Sequence, residues 1–307
     1  MALLFYSPDD DPERWRQALA RHLADLDFRV WPGGLGEAAG IEFALVWRPP
    51  PGMLDGLPNL KAVFSLGAGV EHIADPPPGV PVVRLVDPVL TRGMTEYVSA
   101  RVLHYFREFP LYADSQRRGE WRKRPFRQAA ECRVGVMGQG VLGGDAAAAL
   151  AAMGFSVAGW SRTQKRLDGI EGFHGESGLI PFLGRTDILV CLLPLTPETE
   201  DIVNARTLEA LPRGAYLINA ARGGHVDEEA LLAALESGRL AGATLDVFKT
   251  EPLPADHPFW RASSLTITPH IASLTVPASA AAEITANIAR IRDGREPLHA
   301  VDPARGY

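Results

Sequence analysis

Residues 134–143 read VGVMGQGVLG: an apolar run ends at Met137, Gly138, Gly140 and Gly143 follow in the spacing G-x-G-x-x-G, and a helical pattern begins. This arrangement suits a dinucleotide. Gly138 makes the tight turn, Gly140 lets the backbone touch a pyrophosphate, and Gly143 lets the helix pack on the strand. The pyrophosphate then lies at the helix N-terminus, where N–H groups and the helix dipole favour anions. Three glycines alone are a weak signal; the flanking strand and helix make it specific. The next strand ends Gly159-Trp160-Ser161-Arg162-Thr163, with Lys165 and Arg166 behind it. A site that prefers NAD usually places a carboxylate here for the ribose hydroxyls, and none is present. Arg162 can take a 2′-phosphate bidentately, with Ser161 and Thr163 as hydroxyl donors. The expected cofactor is NADP(H), with NAD(H) as the alternative.

Three further segments, NAARG (219–223), TEPLP (250–254) and TPHIAS (268–273), lie at or just past predicted strand ends. Ligands of open parallel sheets bind off the carboxyl ends of strands, so Arg222, Glu251 and His270 can serve one site. The trio suits carbonyl reduction. Addition of hydride creates an alkoxide that needs a proton, and a charged His270 can supply it. Glu251 would orient the ring and favour its charged form. Arg222 can hold a carboxylate and a carbonyl oxygen as charge develops. Asp246, in TLDVF, also ends a predicted strand. It either assists Arg222, or lies near the nicotinamide amide, or is a buried structural carboxylate. The Gly67-Ala68-Gly69 loop follows a strand as well, and glycine there lets backbone N–H groups approach an anion.

The elements that position these residues alternate along the chain. Strand-like runs fall at 3–6, 28–31, 43–47, 62–66, 80–85, 133–137, 156–160, 187–193, 215–219, 242–247 and 264–268. Helical patterns fall at 12–26, 94–119, 145–153, 205–210, 228–237 and 277–292. Such alternation predicts an α/β chain of parallel sheets covered by helices on both faces. So many strands argue for two domains: residues 1–98 plus 276–307, and residues 99–275. The 307-residue chain, with 30 Gly and 25 Pro, shows no repeat of fixed period.

Bulk properties narrow the function. A net charge of -6 argues against nucleic acid or an anionic membrane as main partner. The basic run RRGEWRKR (117–124) is short enough to read as a solvated connector. No apolar run approaches the ~20 residues of a membrane helix, and no basic region precedes the apolar residues 2–6, so a cytoplasmic location is expected. Cys132 and Cys191 both read as buried free thiols. His72, His104, His225 and His257 stand at no metal-ligand spacing, and no metal is expected.

Taken together, the glycine motif, Arg222 in NAARG, Glu251 in TEPLP and His270 in PHIAS resemble the D-isomer-specific 2-hydroxyacid dehydrogenases, over nearly the whole chain. Within that family the bacterial glyoxylate/hydroxypyruvate reductase A group is similar at LVWRPP (45–50), SLGAGVEHI (65–73), WSRT (160–163), LLPLTPET (192–199) and VDPARGY (301–307). The resemblance implies two Rossmann/flavodoxin-like parallel-sheet domains with the active site in the cleft between them, the first being the substrate domain. It implies that the amides of Leu66, Gly67, Ala68, Gly69 and Val70 bind the substrate carboxylate, and that Trp47 borders the substrate. It implies cofactor contacts at Val141, Leu142, Leu193, Pro194 and Ala220, and a homodimer with residues 94–119 near the interface. In the family the stretch Arg92 to Tyr97 is a hinge before the long helix; here Glu96 reads equally as a helix-start residue. The implied activity is NADPH-dependent reduction of a small 2-oxo acid, glyoxylate to glycolate or hydroxypyruvate to D-glycerate. The alternatives are NAD-linked oxidation of another D-2-hydroxy acid, and a dinucleotide-sensing binding protein on the same fold. An intact Arg222, Glu251 and His270 favours an enzyme.

Overall fold

The computed structural model describes residues 1–73 and 76–302, so Val301 and Asp302 are the only part of the VDPARGY terminus within the described residues. The chain divides into two units, Met1–Leu90 with Leu274–Tyr307, and Thr91–Ser273.

The first unit holds β1 (Ala2–Tyr6), α1 (Pro12–Ala20), β2 (Asp27–Val30), β3 (Ile41–Val46), β4 (Ala62–Ser65) and β5 (Val82–Val83). Its sheet is parallel in the order β2-β1-β3-β4-β5. β1, β3 and β4 are apolar almost without a break and buried, the mark of strands covered on both faces. α1 is started by Asp11, whose side chain accepts from the Glu13 amide, and by Pro12 in its first turn. It ends at Ala20, short of the expected residue 26, because the chain must turn before Asp27 enters β2 and donates to the Met1 carbonyl.

The second unit holds most of α2 (Pro88–Phe106), then α3 (Phe109–Arg117), β6 (Arg133–Met137), α4 (Val141–Ala152), β7 (Ser156–Ser161), β8 (Glu171–His174), α5 (Gly175–Gly184), β9 (Ile188–Cys191), α6 (Ala205–Ala210), β10 (Ala215–Asn219), α7 (Glu228–Glu236), β11 (Leu240–Leu245) and β12 (Leu265–Ile267). The strands are parallel in the order β12-β11-β10-β9-β6-β7-β8. Alternation along β7 sends Val157 into one apolar cluster and Ala158 and Trp160 into another, so both faces of the sheet are covered. The order reverses between β6 and β9, and that switch point is where such sheets bind ligands.

Two further expectations need correction, and two elements are additions. The single helix expected over 94–119 is two helices. Glu108 takes a left-handed φ of 56° between them, and Pro110, in the first turn of α3, has no amide to continue α2. Nor do Arg92 to Tyr97 precede a helix. α2 begins at Pro88, with the Asp87 carboxylate accepting from the Leu90 amide at 3.2 Å, so Glu96 lies inside it rather than at its start. β8 and α5 were not foreseen: β8 (EGFH) is an exposed edge strand without apolar alternation, and α5 carries Pro181 in its interior.

α8 (Pro277–Arg292) belongs to the first unit, as do the residues after it. It buries Ile284 and Ile288 and packs against α1. Beyond it, Ala300 forms an antiparallel bridge with Val83 on the open side of β5.

Candidate active site

In the second unit the glycine loop links β6 to α4, and its three glycines do different work. Gly138 has a φ of +97°, and a Cβ there would fall 2.4 Å from the Leu192 carbonyl oxygen. A Cβ on Gly143 would fall 1.7 Å from the Gly138 carbonyl oxygen. Around Gly140 a Cβ would meet nothing within 4 Å. The first and third glycines are thus demanded by packing, and the second faces open space beside the amides that start α4, among them those of Val141 and Leu142. That space and those amides fit a pyrophosphate. Gly140→Ala should leave the melting temperature near wild type while lowering dinucleotide affinity at least about tenfold. Gly143→Ala should destabilise the fold by about 1–3 kcal/mol or more through overpacking. Thermal unfolding and a binding titration of both variants check the contrast.

At the end of β7, Ser161 is buried, and its Oγ lies 2.8 Å from the Thr163 carbonyl. Arg162, Thr163, Lys165 and Arg166 form an exposed basic turn. The field of Arg162 reaches the loop after β9, where the Glu198 carboxyl is held below its usual range, first by the Thr196 hydroxyl and also by Arg162. Across the switch point from the glycine loop, β9 leads into Leu193 and Pro194. The Pro194 carbonyl accepts from Thr199 Oγ1 at 2.7 Å and lies 3.2 Å from His225 Nε2.

Arg222 follows β10 and is braced through its main chain. Asn219, fully buried, accepts from the Ala221 amide at 3.1 Å and donates to the Arg222 carbonyl at 2.9 Å. The Arg222 amide donates to His225 Nδ1 at 3.2 Å. At Gly223 a Cβ would fall 1.9 Å from the Phe248 carbonyl carbon, so the loops after β10 and β11 touch backbone to backbone. Ala220, one of the expected cofactor contacts, is buried there.

His270 follows β12. Its Nδ1 lies 2.8 Å from Glu251 Oε2, while Glu251 Oε1 accepts from the Phe248 amide at 3.0 Å. Nδ1–H therefore donates to the carboxylate. His270 itself has a φ of 55°, and Asp246 holds that conformation. The Asp246 carbonyl accepts from the His270 amide at 2.8 Å, and its carboxylate accepts from the amides of Ile271 (2.9 Å) and Ala272 (2.8 Å) and from the Thr268 hydroxyl. The Thr268 hydroxyl has given its hydrogen to Asp246, so Tyr97 of α2 must donate to it, at 2.6 Å. Burial pushes the Tyr97 phenol above its usual value, keeping it a donor. Arg222, Glu251 and His270 thus stand on loops after β10, β11 and β12, three neighbouring strands.

The first unit supplies its own loop after β4. Ser65 Oγ donates to the Gly69 carbonyl at 2.7 Å and accepts from the Gly67 amide at 3.1 Å, tightening the turn. The Leu66 amide donates to the Val46 carbonyl at 3.0 Å. Of the five amides expected to bind a carboxylate, those of Leu66 and Gly67 are therefore engaged within the unit, which leaves those of Ala68, Gly69 and Val70. Trp47 lies against Gly67, where a Cβ would fall 2.8 Å from its ring, and it also meets His72, with ring centroids 4.2 Å apart and the rings tilted by 53°.

The family model for D-isomer specific 2-hydroxyacid dehydrogenase, NAD binding domain, matches residues 99–272. The chain belongs to this family. The dehydrogenase is 45% identical to glyoxylate/hydroxypyruvate reductase A of Serratia proteamaculans, over the full length of both chains. Among solved structures it is similar to a D-isomer specific 2-hydroxyacid dehydrogenase from Xanthobacter autotrophicus Py2 in complex with NADPH and MES. That likeness has a TM-score of 0.96 and 47% identity, and covers 100% of this chain and 99% of the other. It is also similar to an NADPH-dependent glyoxylate/hydroxypyruvate reductase from Sinorhizobium meliloti in complex with NADP and sulfate, with a TM-score of 0.93, 40% identity and coverage of 100% and 99%.

Among the described residues of the dehydrogenase no three His, Cys, Asp or Glu side chains gather as a metal site, and no helix is long and apolar enough to cross a membrane. Cys132 and Cys191 are free and buried. Sequence reasoning did not single out Asn219, Ser65, Tyr97 or Thr268, which hold the site rather than face it. A polar residue closing an apolar strand, as at Asn219 and Ser65, is the one local signal they carry.

Proposed function

We propose that this chain reduces a small 2-oxo acid, glyoxylate or hydroxypyruvate, with NADPH. The observation that carries the reading is the His270–Glu251 hydrogen bond of 2.8 Å, set on strand ends beside Arg222 in the unit that bears the dinucleotide loop. The names of the similar proteins support the substrate class and the cofactor.

When bound, NADPH supplies the hydride. Gly138, Gly140, Val141, Leu142 and Gly143 hold its pyrophosphate, Ser161, Arg162 and Thr163 its 2′-phosphate, and Leu193, Pro194 and Ala220 its nicotinamide half. Asp246 serves that half through the loop it folds. His270 gives a proton to the carbonyl oxygen as charge develops there. Glu251 accepts from Nδ1, which orients the ring. Arg222 holds the carboxylate and carbonyl oxygen. The amides of Ala68, Gly69 and Val70 bind the carboxylate, and Trp47 limits the size of the group on the far side of the carbonyl carbon.

The test is a reductase assay on a panel of 2-oxo acids with each cofactor. Glyoxylate and hydroxypyruvate should give the highest kcat/KM, with NADPH over NADH. Arg162→Asp should weaken NADPH selectively, by about tenfold or more for a charge-assisted contact of ~1.5–3 kcal/mol. Equal use of both cofactors by the wild type would remove Arg162 from this role. A homodimer is proposed on the exposed side chains of Leu103, Phe109, Tyr112, Trp121 and Phe126, on and after α2 and α3; equilibrium sedimentation should give twice the chain mass. A cytoplasmic location is testable by cell fractionation.

A further inference from the structure

Gln139 stands between the first two glycines of the dinucleotide loop, yet it points into the protein and is only 4% exposed. A Cβ on Gly159 would fall 1.8 Å from its Nε2, so its seat over β7 exists only because residue 159 has no side chain. Two polar contacts define that seat. Gln139 Oε1 lies 3.1 Å from Ser161 Oγ, and the Gln139 carbonyl accepts from Lys165 Nζ at 2.9 Å. Nε2 is buried with no hydrogen-bond partner among the described residues. An apolar side chain of similar size would fill the seat without leaving a donor unpaired, so the amide calls for a polar explanation.

Ser161 supplies one. Its hydroxyl has a single hydrogen and two acceptors in reach, Gln139 Oε1 and the Thr163 carbonyl. In that state it has no hydrogen for a third acceptor. A half-turn of the Gln139 amide about its last bond places Nε2–H against Ser161 Oγ. The unpaired donor is then satisfied, and the Thr163 carbonyl is left as the one protein acceptor of the two that competes with an incoming anion for the serine hydrogen. Lys165 ties the glycine loop to the basic turn, so both ends of the pair are held.

We propose that Gln139 is a positioning residue for 2′-phosphate selectivity, acting through Ser161. The inference rests on the reading that residues 161–163 take the 2′-phosphate of NADPH.

Two probes separate the effects: 2′,5′-ADP carries the 2′-phosphate, and 5′-AMP lacks it. Calorimetric titration of the full chain should show that Gln139→Leu weakens 2′,5′-ADP about 3- to 10-fold, the range of one hydrogen bond, and leaves 5′-AMP unchanged. Ser161→Ala should weaken 2′,5′-ADP similarly, and the double variant no more than the worse single one. The NADPH/NADH ratio of kcat/KM should fall in step. Unfolding temperatures are measured alongside, and Gln139→Met replaces Gln139→Leu if the latter proves unstable. Equal weakening of both probes, no weakening of either, or losses that multiply in the double variant would each overturn the proposal. A wild type that discriminates while Gln139→Leu binds like it sinks this inference alone. A wild type that binds 2′,5′-ADP no better than 5′-AMP sinks the 2′-phosphate reading, and this inference with it.

Discussion

His270→Gln should lower kcat for 2-oxo acid reduction about 10²–10⁴-fold, the usual span for loss of a general acid, with a much smaller change in KM. Glutamine keeps a donor near the position of the ring and cannot release a proton. Glu251→Gln should behave differently. The amide oxygen can still accept from Nδ1 across the 2.8 Å contact, so the ring stays oriented and only the negative charge is lost. The loss in Glu251→Gln should therefore be smaller than that in His270→Gln. Steady-state kinetics of the two variants separate the roles. A His270→Gln enzyme with near-normal kcat would place the proton donor elsewhere.

The second large effect is at Arg222. Arg222→Ala should reduce kcat/KM about 10²–10³-fold, as removal of an oxyanion donor does, with KM raised and kcat lowered together. The main-chain bracing by Asn219 and His225 does not involve the guanidinium, so the variant should fold. Arg222→Lys should recover only part of the loss, since an ammonium lacks the planar fork that meets a carboxylate bidentately. Steady-state kinetics with both variants check this. A folded Arg222→Ala enzyme with wild-type constants would take Arg222 out of the site.

How much of the molecule is legible in the sequence depends on the range of the forces involved. The glycine spacing after β6, the strand at residues 133–137 and the last helix at 277–292 are local patterns, and the structure carries all three. The left-handed backbone of Glu108 has no compositional mark of its own, and Pro110, two residues on, was the one local sign of the break. β8 escaped because an edge strand has no need of apolar alternation. The supports of His270 were out of reach for another reason: Tyr97, Asp246 and Thr268 meet across as many as 171 positions of sequence. In the same way, the choice of glycine at 159 makes sense only once the Gln139 side chain lies on it.

The first unit is written in two pieces, and its edge strand β5 is paired by Ala300 from the second piece. On the ribosome this separates birth from completion. The five strands emerge early, yet α8 and the residue that covers β5 follow only after the whole of the second unit has been made. At ~5–20 residues per second, that delay is roughly 10–40 s. Throughout it, the edge at Val82 and Val83 and the face of α1 that meets α8 are exposed to other nascent chains. The contiguous unit can close first, and the one that starts the chain closes last.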